Sequence, residues 1–186
     1  PLGPATITIT YTEKYLDGTS DKQSVAITVS VTADPVKPDG TPNAEGFAVT
    51  PIPDAGKEME YKDGAGNKVE PENVQGKLAD AAPGTLEEEV KKNPAFNNVG
   101  NGDVVYENIS FKDENGKPVT FANGKMQVTV PYPADSDKGD EFVMLIPDGE
   151  GKMKAIVPQK TAGGLQFEIE NSNVTFAIGW YTPAPS

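Results

Sequence analysis

Residues 108–133 read NISFKDENGKPVTFANGKMQVTVPYP, and the fold turns on how this stretch alternates. Ile109 and Phe111 alternate with Asn108, Ser110 and Lys112, while Met126, Val128 and Val130 alternate with Lys125, Gln127 and Thr129. A period of two sends one set of side chains to a core and the other to water, which predicts strands over 105–111 and 125–130. Asn115-Gly116 and Asn123-Gly124 tolerate positive φ, so two tight turns are expected to join these strands into a central hairpin.

The same alternation recurs on either side. Ile7, Ile9 and Tyr11, then Val25, Ile27, Val29 and Val31, alternate with Thr, Ser and Ala, and Leu16-Asp17-Gly18-Thr19 supplies the turn between them. Two strands alone have nothing to pack on, so this hairpin either docks on the body that follows or completes an upstream repeat. Pro35, Pro38 and Pro42 then mark a stiff linker. The resulting division is an N-terminal hairpin over 1–34, a Pro-rich linker over 35–43, a β-sandwich domain over 44–181 and an exit linker over 182–186.

Within the body, short strands over 47–52 and 57–61 precede a single helix over 85–93. Thr85 and Glu88 predict a capping box, Glu87–Lys91 and Glu88–Lys92 predict i,i+4 ion pairs, and Leu86 and Val90 form a short apolar stripe. Two turns of helix do not stand alone, so this one is expected to plug an edge or end of the sandwich. Residues 142–146 form a continuous apolar run, as an interior strand requires, and 154–157 form another strand. Leu165, Phe167 and Ile169, then Val174, Phe176, Ile178 and Trp180, restore the alternation. The fold class that follows is all-β, an Ig-like β-sandwich of roughly eight to ten strands with one short helix.

Composition narrows the chemistry. All 16 basic residues are lysine, and arginine, histidine and cysteine are absent. That removes thiol nucleophiles, Ser-His-Asp arrangements, ordinary zinc sites and bidentate guanidinium clamps. A net charge of −12 opposes nucleic-acid binding, which needs a basic footprint. No apolar run is long enough to insert into a bilayer.

Over 104–181, the order VVYENISFKDENGKPVTFANGKMQVTVPYP, EFVMLIPDGEGKMKAI, GGLQFEIENSNVTFAIGWY resembles a β-sandwich module that recurs in secreted and wall-attached multidomain proteins of Gram-positive gut bacteria. Asn173-Val174-Thr175 stands where that pattern usually has Ser-Pro or Ser-Glu. Residues 5–33 are similar to the final two strands of a bacterial Ig-like repeat. The resemblance implies a non-catalytic structural or adhesive module, secreted or anchored in the cell wall and monomeric within a longer chain. Its partner would be a surface glycan or protein of host or bacterium. The alternative is a carbohydrate-binding accessory module of a secreted glycan-degrading enzyme. No catalytic residues carry over from the resemblance.

Three constellations are candidates for a site. Asp135, Asp137, Asp140 and Glu141 crowd one loop, and hard cations such as Ca2+ take several oxygen ligands from such loops, although Lys138 sits among them and the EF-hand pattern is absent. Otherwise no cofactor is expected. Tyr132, Trp180 and Tyr181, with Tyr106 behind them, could offer a flat face to a sugar ring, although Trp180 continues a core alternation. A spontaneous Lys–Asn amide, known in Gram-positive surface sandwiches, needs a buried acid; Asn108, Asn171 and Asn173 flank core strands, but no spacing singles out a triad. The acids read as lying in turns, on the helix or at outward strand positions such as Glu168 and Glu170, so no carboxylate pair for glycoside hydrolysis is expected.

Overall fold

The computed structural model of the chain describes residues 5–29 and 34–185. In chain order the elements are β1 (Ala5–Lys14), β2 (Ser20–Val29), β3 (Ala48–Pro53), β4 (Glu60–Asp63), β5 (Gln75–Asp80), α1 (Leu86–Lys92), β6 (Val104–Lys112) and β7 (Val119–Ala122). They continue as β8 (Gly124–Val130), β9 (Glu141–Pro147), β10 (Met153–Ile156), β11 (Gln159–Lys160), β12 (Leu165–Ile169) and β13 (Asn173–Tyr181). The chain is therefore mostly β, with one α-helix among the described residues.

The strands form antiparallel sheets. One has five strands in the order β10-β9-β13-β6-β5, and another has four in the order β11-β12-β8-β3. Two smaller sheets are β1-β2 and β4-β7. The central hairpin expected from 105–130 does not form. β6 pairs with β13 and β5, whereas β8 pairs with β12 and β3. Alternation fixes which face of a strand is apolar but not which strand lies beside it. Between the two, β7 leaves to pair with β4, and Asn123 at φ 68° turns the chain into the second large sheet.

Both large sheets turn their apolar faces into one core. Ile109, Phe111, Phe176 and Ile178 from the five-stranded sheet share a buried cluster with Val49, Met126, Val128 and Phe167 from the four-stranded one. Phe167 and Phe176 meet edge to face, their ring centroids 5.2 Å apart. Phe111 and Phe121 do the same at 5.4 Å, which closes β7 over this core. Pro51 and Pro53 lie on β3, an edge strand, where the missing N–H groups blunt further pairing.

The helix lies on a face rather than an edge or end. Leu86 and Val90 pack with Phe96, Val143, Leu145 and Ala177 in a second cluster, which covers the outer side of the five-stranded sheet. This explains the unbroken apolar run of β9. Phe142, Met144 and Ile146 serve the inner core, while Val143 and Leu145 serve the outer one. Thr85 is the N-cap but makes no side-chain hydrogen bond and has helical dihedrals, so the expected capping box is absent. Lys91 pairs with Glu87 at 2.9 Å as expected, and its second contact is Glu88 at 3.7 Å.

Three hairpin turns share one design. Asp63, Asp113 and Asp148 each accept, through Oδ1, the N–H groups two and four residues on, at 2.8–2.9 Å. The glycine three residues on has positive φ in each case: Gly66, Gly116 and Gly151. In Asp63 and Asp148 these bonds favour the ionised carboxylate. The Asn67 side chain leads in holding Asp63 below the usual range, and the Lys152 N–H does so for Asp148.

β1 and β2 pair in full register from Ala5↔Val29 to Lys14↔Ser20, around a turn closed by the Asp17 carboxylate. Docking on the body would cover their apolar side chains; Ile9, Tyr11 and Val25 are 50%, 46% and 48% exposed. The side chains of Ile7, Ile27 and Val29, and the whole of Val31, lie outside the described residues.

Candidate functional site

The expected aromatic platform is taken apart by the pleat. Trp180 is 4% exposed and belongs to the inner core, while its strand neighbour Tyr181 points to the opposite side of the sheet. Tyr132 is half-buried against the same core, its ring 5.5 Å from Phe142 and its hydroxyl donating to the Thr161 carbonyl at 2.7 Å. These three rings share no solvent face.

The acidic loop is tied to itself. Asp140 is buried, and its carboxylate accepts the Asp137 N–H and the Thr182 hydroxyl, both at 2.8 Å. Lys160 donates to the Asp140 carbonyl at 3.0 Å and to Glu141 at 3.3 Å, while Asp135 and Asp137 are exposed. Among the described residues no group of three or more acidic side chains is placed to hold a metal ion.

The description of every acid as a turn, helix or outward residue needs correction. Glu107 is 4% exposed on the inner face of β6, between Asp80 of β5 and Phe176 of β13 in the strand register. Glu107 Oε2 and Asp80 Oδ2 are both buried without a hydrogen-bond partner. Burial, reinforced by the neighbouring Asp80 charge, pushes the Glu107 carboxyl up to about 8, and burial also raises Asp80. Glu107 is thus a neutral acid at the pH where most carboxylates are charged. The parity of 107, 109 and 111 carried this signal, because Ile109 and Phe111 fix the inward face.

No amide-forming triad gathers around that acid. Asn108 faces outward, donating to Asn173 at 2.8 Å and to Thr175 at 3.0 Å, and Asn171 donates to the Asp148 carbonyl at 2.8 Å. Glu107 and Asp140 are the buried charged residues among those described, with no lysine beside them in that class.

Sequence reasoning did not anticipate a recess of about 720 Å³ on the outer face of the five-stranded sheet. It is built by the segment between β5 and β6, which lays α1, a 3-10 turn over Pro94–Phe96 and a glycine-containing loop across β6. Asn93 caps that turn by accepting the Ala95 N–H at 3.0 Å, and so delivers Phe96 to the sheet. A side chain at Gly179 would stand 2.9 Å from the Phe96 ring and 3.0 Å from Val99, so only glycine lets them lie against β13. Phe96, Val104 and Tyr106 supply apolar surface, and Glu87, Lys91, Asn97 and Asn101 supply polar groups. Burial raises the Tyr106 hydroxyl above its ordinary value, with Glu87 adding to the effect and Lys91 opposing it.

A smaller hollow of about 320 Å³ is walled by prolines, among them Pro51 and Pro53, together with Met59 and Tyr61. The Tyr61 hydroxyl is buried without a partner, and burial pushes it up to about 12. No protein-family model, curated protein or solved structure matches the chain.

Proposed function

We propose that the chain is a non-catalytic structural or adhesive module of a secreted or wall-attached bacterial protein, built as an Ig-like β-sandwich. The placement of its acids carries this reading. Asp63, Asp113 and Asp148 close turns, Asp140 closes a loop, and Glu107 faces the shared core, where it lines neither recess. Carboxylates spent on turn closure stabilise a scaffold. A screen of glycosides, esters and peptides should therefore show no turnover by the intact chain. Turnover that disappears in Glu107→Gln would overturn the reading, because that acid would then reach a substrate.

A second reading, a carbohydrate-binding accessory module, is favoured by the α1 recess. An open pocket that joins an aromatic ring to amide side chains suits a polar ring-shaped ligand better than it suits a bare spacer.

A further inference from the structure

We infer that the recess between α1 and β6 is a binding site for a neutral saccharide, with Tyr106 as the ring on which a sugar face rests. The inference rests on the second reading above, and it assigns the site to residues other than Tyr132, Trp180 and Tyr181. Size is the first argument, since about 720 Å³ falls within the ordinary range for small-molecule pockets.

Chemistry is the second. Tyr106 lies on the outward face of β6, half-buried, with Phe96 and Val104 beside it in the recess wall. The lining thus combines apolar groups with polar ones, as the face and rim of a pyranose ring do. Asn97 and Asn101 are exposed and each presents both an amide donor and a carbonyl acceptor, which match vicinal hydroxyls.

Charge is the third. The cation lining the recess, Lys91, is already held by Glu87 at 2.9 Å, so the pair offers hydrogen bonds with no net charge. The chain as a whole carries −12 and repels anions, which disfavours uronic, sulfated or phosphorylated ligands. The recess also has a rigid base. Phe96 is buried and seated against Gly179, so the pocket wall is anchored to the sheet rather than to a loose loop.

The test is titration calorimetry of the full chain against neutral β-1,4-glucan, β-1,4-mannan, α-1,4-glucan and chitin oligosaccharides, with a uronic oligosaccharide as the charged control. Saturable binding to at least one neutral oligomer is expected. Tyr106→Ala should weaken it by roughly tenfold, the size of losing one aromatic face, while Tyr106→Phe should retain most of it. Because Tyr106 also packs in the outer cluster, Asn101→Ala on the exposed loop provides a second variant, expected to weaken binding with no change in melting temperature. Absence of binding to every neutral oligomer would overturn the inference. So would binding indifferent to both Tyr106→Ala and Asn101→Ala, or binding confined to the uronic control. Those failures leave the non-catalytic reading standing, since its own failure is turnover that depends on Glu107.

Discussion

At about pH 8–9, Glu107→Gln is expected to melt roughly 6–12 °C above the parent chain, whereas at about pH 4 the two should melt nearly together. In the folded chain the Glu107 carboxyl is pushed from 4.5 to about 8 by burial and by Asp80. Between those values the folded state keeps a proton that the unfolded state has released, so stability falls as pH rises through the window and levels off above it. The full difference is worth on the order of 3–5 kcal/mol, and Gln removes most of it by staying neutral at every pH. Asp80, raised by the same burial, adds to the slope. The turn carboxylates work in the opposite sense. Asp63 and Asp148 are lowered, so their contribution is present above the ordinary carboxylate range and is lost as pH falls through it. The parent chain should therefore be most stable at mildly acid pH, and the variant should lose only the alkaline decline. Thermal unfolding followed across pH checks this. A parent profile that is flat from about pH 5 to 8 would mean that Glu107 is solvated or paired with a cation.

The second large effect concerns the ring pair between the sheets. Phe176→Ala is expected to cost about 3–5 kcal/mol and lower the melting temperature by roughly 6–20 °C, because a fully buried ring leaves a cavity in a layer held from both sides. Phe167→Ala should cost a comparable amount. The double variant should be less destabilised than the sum of the two by about 0.5–1.5 kcal/mol, the coupling expected of rings in edge contact. Strict additivity, measured by chemical denaturation, would mean that the two rings are not in contact across the sheets.

Much of the strand content was legible because alternation is a local signal. Leu165–Ile169 appears as read, and β6, β8 and β13 match their patterns to within a residue or two at each end. β5 was not legible. Its inward positions are Gly76, Leu78 and Asp80, so a single apolar residue carried the period. β7 has only Val119 and Phe121 to show, between two turn signals, and β11 is two residues long.

Partner choice was hidden for a different reason. The turn at Asn115-Gly116 was correctly placed, whereas at Asn123-Gly124 Asn123 alone bends the chain with positive φ and no hairpin forms; neither signal says which strand lies beside which. The candidate site suffered most. Tyr132 and Trp180 drew notice as aromatics near strand ends, yet their parity sends them to the core. The recess instead depends on α1 and Phe96 crossing the outer face of β6, a contact between segments that no local pattern encodes. Glu107 was within reach, since the inward parity of Ile109 applies equally to the residue two positions before it.

The account rests on two sheets that close on one shared core, with β6 in one and β8 in the other. Nuclear Overhauser contacts in the intact chain test this most directly. Cross-peaks are predicted between the Phe167 and Phe176 rings, together with backbone contacts from Ile109 to Val174 and from Val128 to Phe167. Backbone contacts joining 109–111 to 126–128 as a hairpin, with silence between the two rings, would contradict it.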